Sequence, residues 1–438
     1  MDIYDILLAP FYLAIVLFLA YKYKAKHQHE HPAYKYFLPG LIAKIVGAIA
    51  LGFVYFFYYG GGDTINYHQT ANGFVSVFLK DFDNFVYVYF GEPSLAEFYL
   101  FNSEEGFVYW VKDPYAFFVS KIFFVFSLIT FKSYISSAIL VAAVCYIAVW
   151  QLYQVFINEF PEIYKELAFA ILFVPSVVFW GSGLMKDSIT FSSTCLYIYG
   201  FYWFAVKKRR SLYYAAAIFT AAFLLLSIKP YIFFALLPGS GIWLMSIRIS
   251  KVKNLLVKIL IGPVFVISIS FLVFVIMNNL GNKLGKYSVD KIFGTAQSSQ
   301  QDLKQDYYRG NTFDIGDYDA SLTGLLSVSH KAIFATLYRP TLLDVRNAVM
   351  LLSALENTFL VFFTLYLLIK LRFFKFFLFL GSHPLALFSF TFSIFFALSV
   401  GVSISNFGTL VRLKIPCVPF FICSLIVVNY IMKKKQVY

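Results

Sequence analysis

The sequence predicts an all-α polytopic membrane protein of about eleven transmembrane helices, with its N-terminus outside, its C-terminus cytoplasmic and two large outer loops. Of its 438 residues, 60% are hydrophobic and only 13% charged. Its mean hydropathy is +0.73. The basic residues gather in short runs beside apolar stretches. A soluble domain carries about 25% charged residues, and no soluble core absorbs this much apolar surface. The aromatic load, 54 Phe and 33 Tyr, suits lipid-facing surfaces and interfacial belts, where a ring is buried and a hydroxyl stays wet. A net charge of +13 would suit a polyanion, but the cations sit where the positive-inside rule puts them, so no nucleic acid is expected as a partner.

Apolar runs of spanning length, roughly 17 to 25 residues, lie near residues 4–21, 37–59, 134–156, 168–184, 188–206, 212–228, 231–247, 256–278, 348–369, 385–401 and 415–431. The first is read as a retained span: Asp2 and Asp5 precede it and its cations follow it, the reverse of a cleavable signal peptide. If the spans alternate, five basic clusters fall on one side, the cytoplasm: Lys22/Lys24/Lys26, Lys207/Lys208/Arg209/Arg210, Arg248/Lys251/Lys253/Lys258, Lys370/Arg372/Lys375 and Lys433/Lys434/Lys435. The apolar stretch 117–131 is then a re-entrant or interfacial segment, because counting it as a span would put Lys207 to Arg210 outside. The result is a single membrane domain over residues 1–438, with an acidic outer loop at 60–116 and a second outer loop at 279–346. The second loop is long enough to need structure of its own. The cysteines Cys145, Cys195, Cys417 and Cys423 all lie in apolar runs without metal-ligand spacing and read as small core residues.

Three groups of residues point to chemistry on the outer side. In GGGDTINYH, three glycines end a span and turn the chain so that Asp63, Tyr67 and His68 sit close to the interface, where a base meets a lipid-linked substrate. The alternative is a glycine stop followed by Asp63 as the cap of a surface helix, with His68 a packing residue. In PSVVFWGSGLMKDS, Pro175 interrupts a span, and Lys186 and Asp187 fall in an otherwise apolar hairpin. The alternative there is a self-paired couple at a hairpin tip. Outward cations, namely Lys186, Lys229, Arg339, Arg346, Arg412 and Lys414, together suit a pocket for an anion such as a lipid phosphate; singly, each is an interfacial anchor. Glu356 lies about two turns inside a span and requires a partner, an outer cation or Lys229. Three further patterns are set aside as sites: Asp81-Phe82-Asp83, the alternating His27, His29 and His31, and Asp314, Asp317 and Asp319 of DIGDYD.

In Asp63 of GGGDTINYH, Lys186-Asp187 after PSVVFW and the arginine of NFGTLVRLKIP, the chain resembles the GT-C class of membrane glycosyltransferases, which take sugars from polyprenyl-phosphate carriers. It departs from that class in having an extra span before the acidic loop. The resemblance implies an acidic base or metal ligand in the first outer loop and a second acidic position in the next, roles that fall on Asp63 and Asp187. Lys186, Lys229, Arg339, Arg412, His68 and Tyr67 would then contact substrate. The implied partners are a polyprenyl-linked sugar donor, membrane lipids, and a saccharide, lipid or protein acceptor; a divalent metal is the one cofactor implied. The implied location is a cell membrane, the bacterial inner membrane, with the site facing outward. O-antigen and exopolysaccharide polymerases share this outer-face layout. A transporter or flippase of a lipid-linked or anionic solute, and a non-catalytic subunit of an envelope assembly, are the other classes the residues allow.

Overall fold

The computed structural model describes residues 3–91, 110, 113–249, 287–305, 311–346 and 348–436, with single positions between 268 and 285. Outside the described residues lie most of the expected span 256–278, the acidic Glu92, Glu97, Glu104 and Glu105, and residues 306–310. The described chain is helical almost throughout; its extended pairing is a single antiparallel bridge, Thr312 to Asn406. It packs as two compact units, Met1–Gly200 with Leu212–Lys229, and Phe201–Ser211 with Pro230–Tyr438.

The first unit contains α1 (Ile3–His27), α2 (Phe37–Phe53, continued by a π turn to Tyr58), α3 (Asp63–Lys80), α4 (Phe82–Phe90), α5 (Pro114–Ile129), α6 (Tyr134–Glu159), α7 (Tyr164–Leu172), α8 (Pro175–Trp180), α9 (Lys186–Phe201, passing into the second unit at its last residue) and α10 (Leu212–Ile228). The second contains α11 (Pro230–Ile249), α12 (Val289–Asp302), α13 (Leu322–Tyr338), α14 (Ala348–Gly381), α15 (Pro384–Gly401), α16 (Phe407–Leu413) and α17 (Val418–Gln436).

The protein is thus an all-α membrane protein, but the expected count of eleven spans is not reached among the described residues. Among the described residues six helices are long and apolar enough to cross a bilayer: Asp5–His27, Pro32–Tyr58, Tyr134–Glu159, Pro230–Ile249, Met350–Gly381 and Pro384–Gly401. A seventh is the pair Phe407–Leu413 and Val418–Lys435 if that bent pair is one span. The shortfall has local causes. The run 168–184 breaks at Phe173 and Val174, because Pro175 has no N–H for a continuing helix and excludes helical backbone from the residue before it. The run 188–206 is α9, whose Ser and Thr content dilutes its apolarity. Both 114–129 and 212–228 form apolar helices shorter than a full crossing. In α14 the backbone leaves the helical region at Arg372 (φ 59°), within the basic cluster where the sequence ends that span.

Buried polar contacts set the level of the helices in the first unit. Asp5, 2% exposed, accepts hydrogen bonds from the Ser133 hydroxyl at 2.8 Å and the Ile135 amide at 3.0 Å. It thereby caps α6, so α1 and α6 start side by side and run parallel. At the same end Thr64, just after α2, bonds the Tyr134 hydroxyl at 2.8 Å. The chain between Thr64 and Tyr134 therefore leaves and returns at one end of the helices. That excursion is a layer of its own: α3, α4 and α5 bury Phe74, Phe85, Phe117 and Phe124 against one another, and Lys132 Nζ donates to the Ser76 hydroxyl at 2.7 Å.

Replacing Asp5 by Ala strips the first turn of α6 of a buried acceptor and should lower stability by about 1–3 kcal/mol, with Asn recovering part of it. Reversible unfolding in mixed micelles measures the loss; an unchanged Asp5→Ala protein would show that α1 is not tied to α6 through this residue.

Candidate functional site

The end of α2 determines how Asp63 is presented. Gly60, Gly61 and Gly62 all have positive φ, at 68°, 155° and 123°, which residues with a Cβ rarely adopt. The chain reverses there and α3 begins at Asp63 itself, with Gly62 as the capping position. Asp63 is therefore in the first turn, where a carboxylate meets the positive end of the helix dipole, and it is half-buried. Tyr67, four residues on, shares its face of α3 and is wholly buried. Its ring stacks on Trp110 at 5.0 Å. His68 is 8% exposed; it meets the Tyr134 ring edge-on at 5.2 Å, and its Nε2 lies 3.2 Å from Asn72.

Lys186 approaches the same aromatic pair, its ammonium 5.5 Å from the Trp110 ring centre and 3.1 Å from the Asp113 carboxylate. Asp113 also caps α5, its other oxygen accepting the Tyr115 and Ala116 amides. Asp187 lies 2.5 Å from Lys229 Nζ, with 1% and 9% of the two side chains exposed. Beside the self-paired couple that the sequence allows, the ion pairs formed are Lys186 with Asp113 and Asp187 with Lys229. Consecutive residues on a helix point about 100° apart, so each takes a partner distant in sequence.

The turn that carries both is fastened to the middle of α2. Lys44, 5% exposed, donates to the Gly181 carbonyl at 2.5 Å, Gly47 leaves room only for the Val178 carbonyl, and Leu51 fills the space beside Gly183. Residues 44, 47 and 51 share one face of α2 at helical spacing. That helix therefore joins the Asp63 turn at its end to the Lys186–Asp187 turn at its middle.

The remaining predicted cations belong to the second unit. Arg339 is engaged by Asp344 through Nε at 3.2 Å and Nη2 at 2.5 Å, and its guanidinium lies over the rings of Phe313 and Phe407. Burial pushes the Asp344 carboxyl up, but hydrogen bonds from Arg339 and Thr341 outweigh it and hold the group below its usual range. The contact contributes stability above the ordinary carboxylate pKa and loses it as pH falls through the lowered value. Lys414, 1% exposed, donates to Asn357 Oδ1 at 2.6 Å and to the Arg339 carbonyl at 3.2 Å. The charge of half-buried Glu356 reaches this ammonium, and Lys229 is held by Asp187. Arg412 is half-buried in α16 and Arg346 is exposed. The set of cations expected to form one pocket is thus divided between two units, Lys186 and Lys229 in one and Arg339, Arg346, Arg412 and Lys414 in the other.

The patterns set aside have structural employment. Asp81 caps α4 through the Asp83 and Asn84 amides, His31 caps the short helix at Pro32, and Asp314 and Asp317 hold Lys304 at 2.8 and 3.4 Å. Among the described residues no three His, Cys, Asp or Glu side chains gather as a metal site. Trp110 and Lys44 carried no sequence signal as site residues. Asp113 did carry one, since Asp before Pro marks a helix start. No protein-family model, no curated protein and no solved structure matches this chain.

Replacing Lys229 by Met leaves Asp187 as an uncompensated buried carboxylate and should cost about 3–5 kcal/mol. Adding Asp187→Leu to the same protein should restore most of it. Unfolding of both variants in mixed micelles tests this, and a Lys229→Met single variant as stable as the parent would disprove the pair.

Proposed function

We propose that the protein is a membrane glycosyltransferase that moves a sugar from a polyprenyl-phosphate-type carrier to a saccharide, lipid or protein acceptor at the outer face of a bacterial inner membrane. The observation that carries this reading is the gathering, in one unit, of the Asp63–Tyr67 face of α3, Trp110, the Asp113–Lys186 pair and the buried Asp187–Lys229 pair. A carboxylate, a stacked aromatic pair and a part-exposed ammonium are what sugar transfer from a phosphate requires. Aromatic faces pack on sugar rings, the carboxylate takes a proton, and the cation meets the departing anion.

In this mechanism Asp63 accepts the proton of the acceptor hydroxyl as its oxygen bonds to the anomeric carbon. The anomeric bond to the carrier phosphate breaks, and the phosphate leaves with the bonding pair towards Lys186. Asp187, shut off from solvent and bonded to Lys229, is a positioning residue for the turn that presents Lys186. Asp63 is also the residue that would ligate a divalent metal. A polymerase would use the same donor with a growing glycan as acceptor.

The parallel start of α1 and α6 supports placing residues 64–134 on one side of the membrane, the side of the N-terminus, because the chain returns to the side it left; the reading of that side as the outer one rests on the placement of the basic clusters. That agrees with 117–131 being re-entrant or interfacial. A second reading, transport of a lipid-linked or anionic solute, draws on the 68° bend between Phe407–Leu413 and Val418–Lys435, with buried Lys414 at the break. Discontinuous helices of this kind form solute sites in transporters.

Asn has the size of Asp but takes up no proton, so Asp63→Asn should lower transfer of carrier-linked sugar in membranes about a hundredfold or more. Asp81→Asn, where the amide still caps α4, should transfer normally. Equal activity in the two removes Asp63 from the site. For topology, all four native cysteines are buried; in a protein lacking them, an impermeant maleimide should label a cysteine at position 63 from outside and one at 208 only from the cytoplasm. Labelling of position 208 from outside would overturn the re-entrant or interfacial reading of 117–131 and make it a span.

A further inference from the structure

Helix α13 has one face that no part of the described chain covers. Its inner face is tied to α15, where Thr336 donates to the Ala397 carbonyl at 2.9 Å and Ala332 and Ala335 are buried. On the other side Leu322, Leu326, His330 and Phe334 follow at every fourth residue, and Leu322, Leu326 and Phe334 are 60%, 55% and 50% exposed. Twelve residues of helix extend over about 18 Å, close to the depth of one leaflet, about half of a 30 Å hydrocarbon core.

This stripe runs into a cavity of about 450 Å³ lined by Asp314, Ile315, His330, Lys331, Phe334 and Arg339, among others. The opposite wall is held in place. The Phe313 amide donates to the Ser405 carbonyl at 2.8 Å, the Phe407 amide to the Asn311 carbonyl at 2.9 Å, and Tyr318 to the Val402 carbonyl at 2.8 Å. The cavity is preformed. Its one lining acid, Asp314, holds Lys304, and its Arg339 is engaged by Asp344. Lys331 is exposed and makes no ion pair among the described residues. Its ammonium lies beside Gly316, where an added Cβ would be in ordinary contact at 3.6 Å from Nζ.

We propose that this cavity binds the phosphate head of an anionic glycerophospholipid, with Lys331 and His330 on the phosphate and the acyl chains along Leu322, Leu326 and Phe334. A soluble anion would leave the leucine stripe bare, and an apolar ligand would leave Lys331 unanswered at the cavity. A polyprenyl tail is far longer than the stripe, whereas a chain confined to one leaflet matches it. The site goes beyond the proposed transfer reaction and stands whether or not that reaction is correct.

The test is native mass spectrometry of the purified full chain titrated with phosphatidylglycerol in micelles. One tightly retained phosphatidylglycerol is expected. His330→Gln with Lys331→Gln should weaken it about tenfold or more, as loss of charge-assisted bonds predicts. Lys208→Gln, in the exposed basic run at the other cluster, should leave it unchanged. Leu326→Ser should weaken binding without altering the unfolding temperature. The proposal is overturned by equal retention in the double variant, by an equal loss in Lys208→Gln, by displacement with millimolar inorganic phosphate, which would mark a free-anion site, or by preference for a polyprenyl phosphate over phosphatidylglycerol.

Discussion

Hydrocarbon offers no water to a charge or a carbonyl, so every polar group this chain takes into its interior must be met by another part of the chain. The Asp187–Lys229 contact shows how far this constraint reaches. Two oppositely charged groups, 42 residues apart, tie the start of α9 to the end of α10. With Asp187 fixed in that direction, its neighbour Lys186 is turned to Asp113 and Trp110. Lys44 and the Gly181 carbonyl fix the same turn from the side of α2. The candidate site therefore inherits its geometry from charges that could not be left unpaired.

The second unit obeys the same rule with different partners. Lys414 stands where α16 gives way to α17, and its bonds to Asn357 and to the Arg339 carbonyl stitch that break to α14 and to the turn after α13. Arg339 in turn is held by Asp344 and lies against the stacked rings of Phe313 and Phe407. Cations that together suggest a ligand pocket in the sequence are thus largely engaged within the chain. Lys331, in a preformed cavity, is the contrasting case.

The difference between the expected and observed spans has one origin. A hydropathy window measures the mean of a stretch, whereas a helix is ended by single residues. Pro175 divides 168–184 although its composition suits a membrane. In α14 the helix itself runs on to Gly381, past the basic cluster where composition ends the span, and its backbone departs from helical values at Arg372. The same holds for site motifs: Asp81-Phe82-Asp83 has the form of a metal-binding pair, but the first aspartate is a helix cap, and Asp314 and Asp317 answer Lys304.

Composition and charge placement by themselves determined that this is a helical membrane protein, because burying apolar side chains and satisfying backbone groups without water admits few other solutions. They also singled out Asp63, Tyr67, Lys186, Asp187 and Lys229, since glycine turns and intramembrane charges are costly unless they serve a purpose. Which charge meets which was decided only in three dimensions. Lys186 meets Asp113 and Asp187 meets Lys229, because a side chain's partner depends on the direction a helix gives it and on the chain that folds against that direction. Trp110 and Lys44 acquire their roles in the same way, from contacts across 43 and 137 residues that no local pattern encodes.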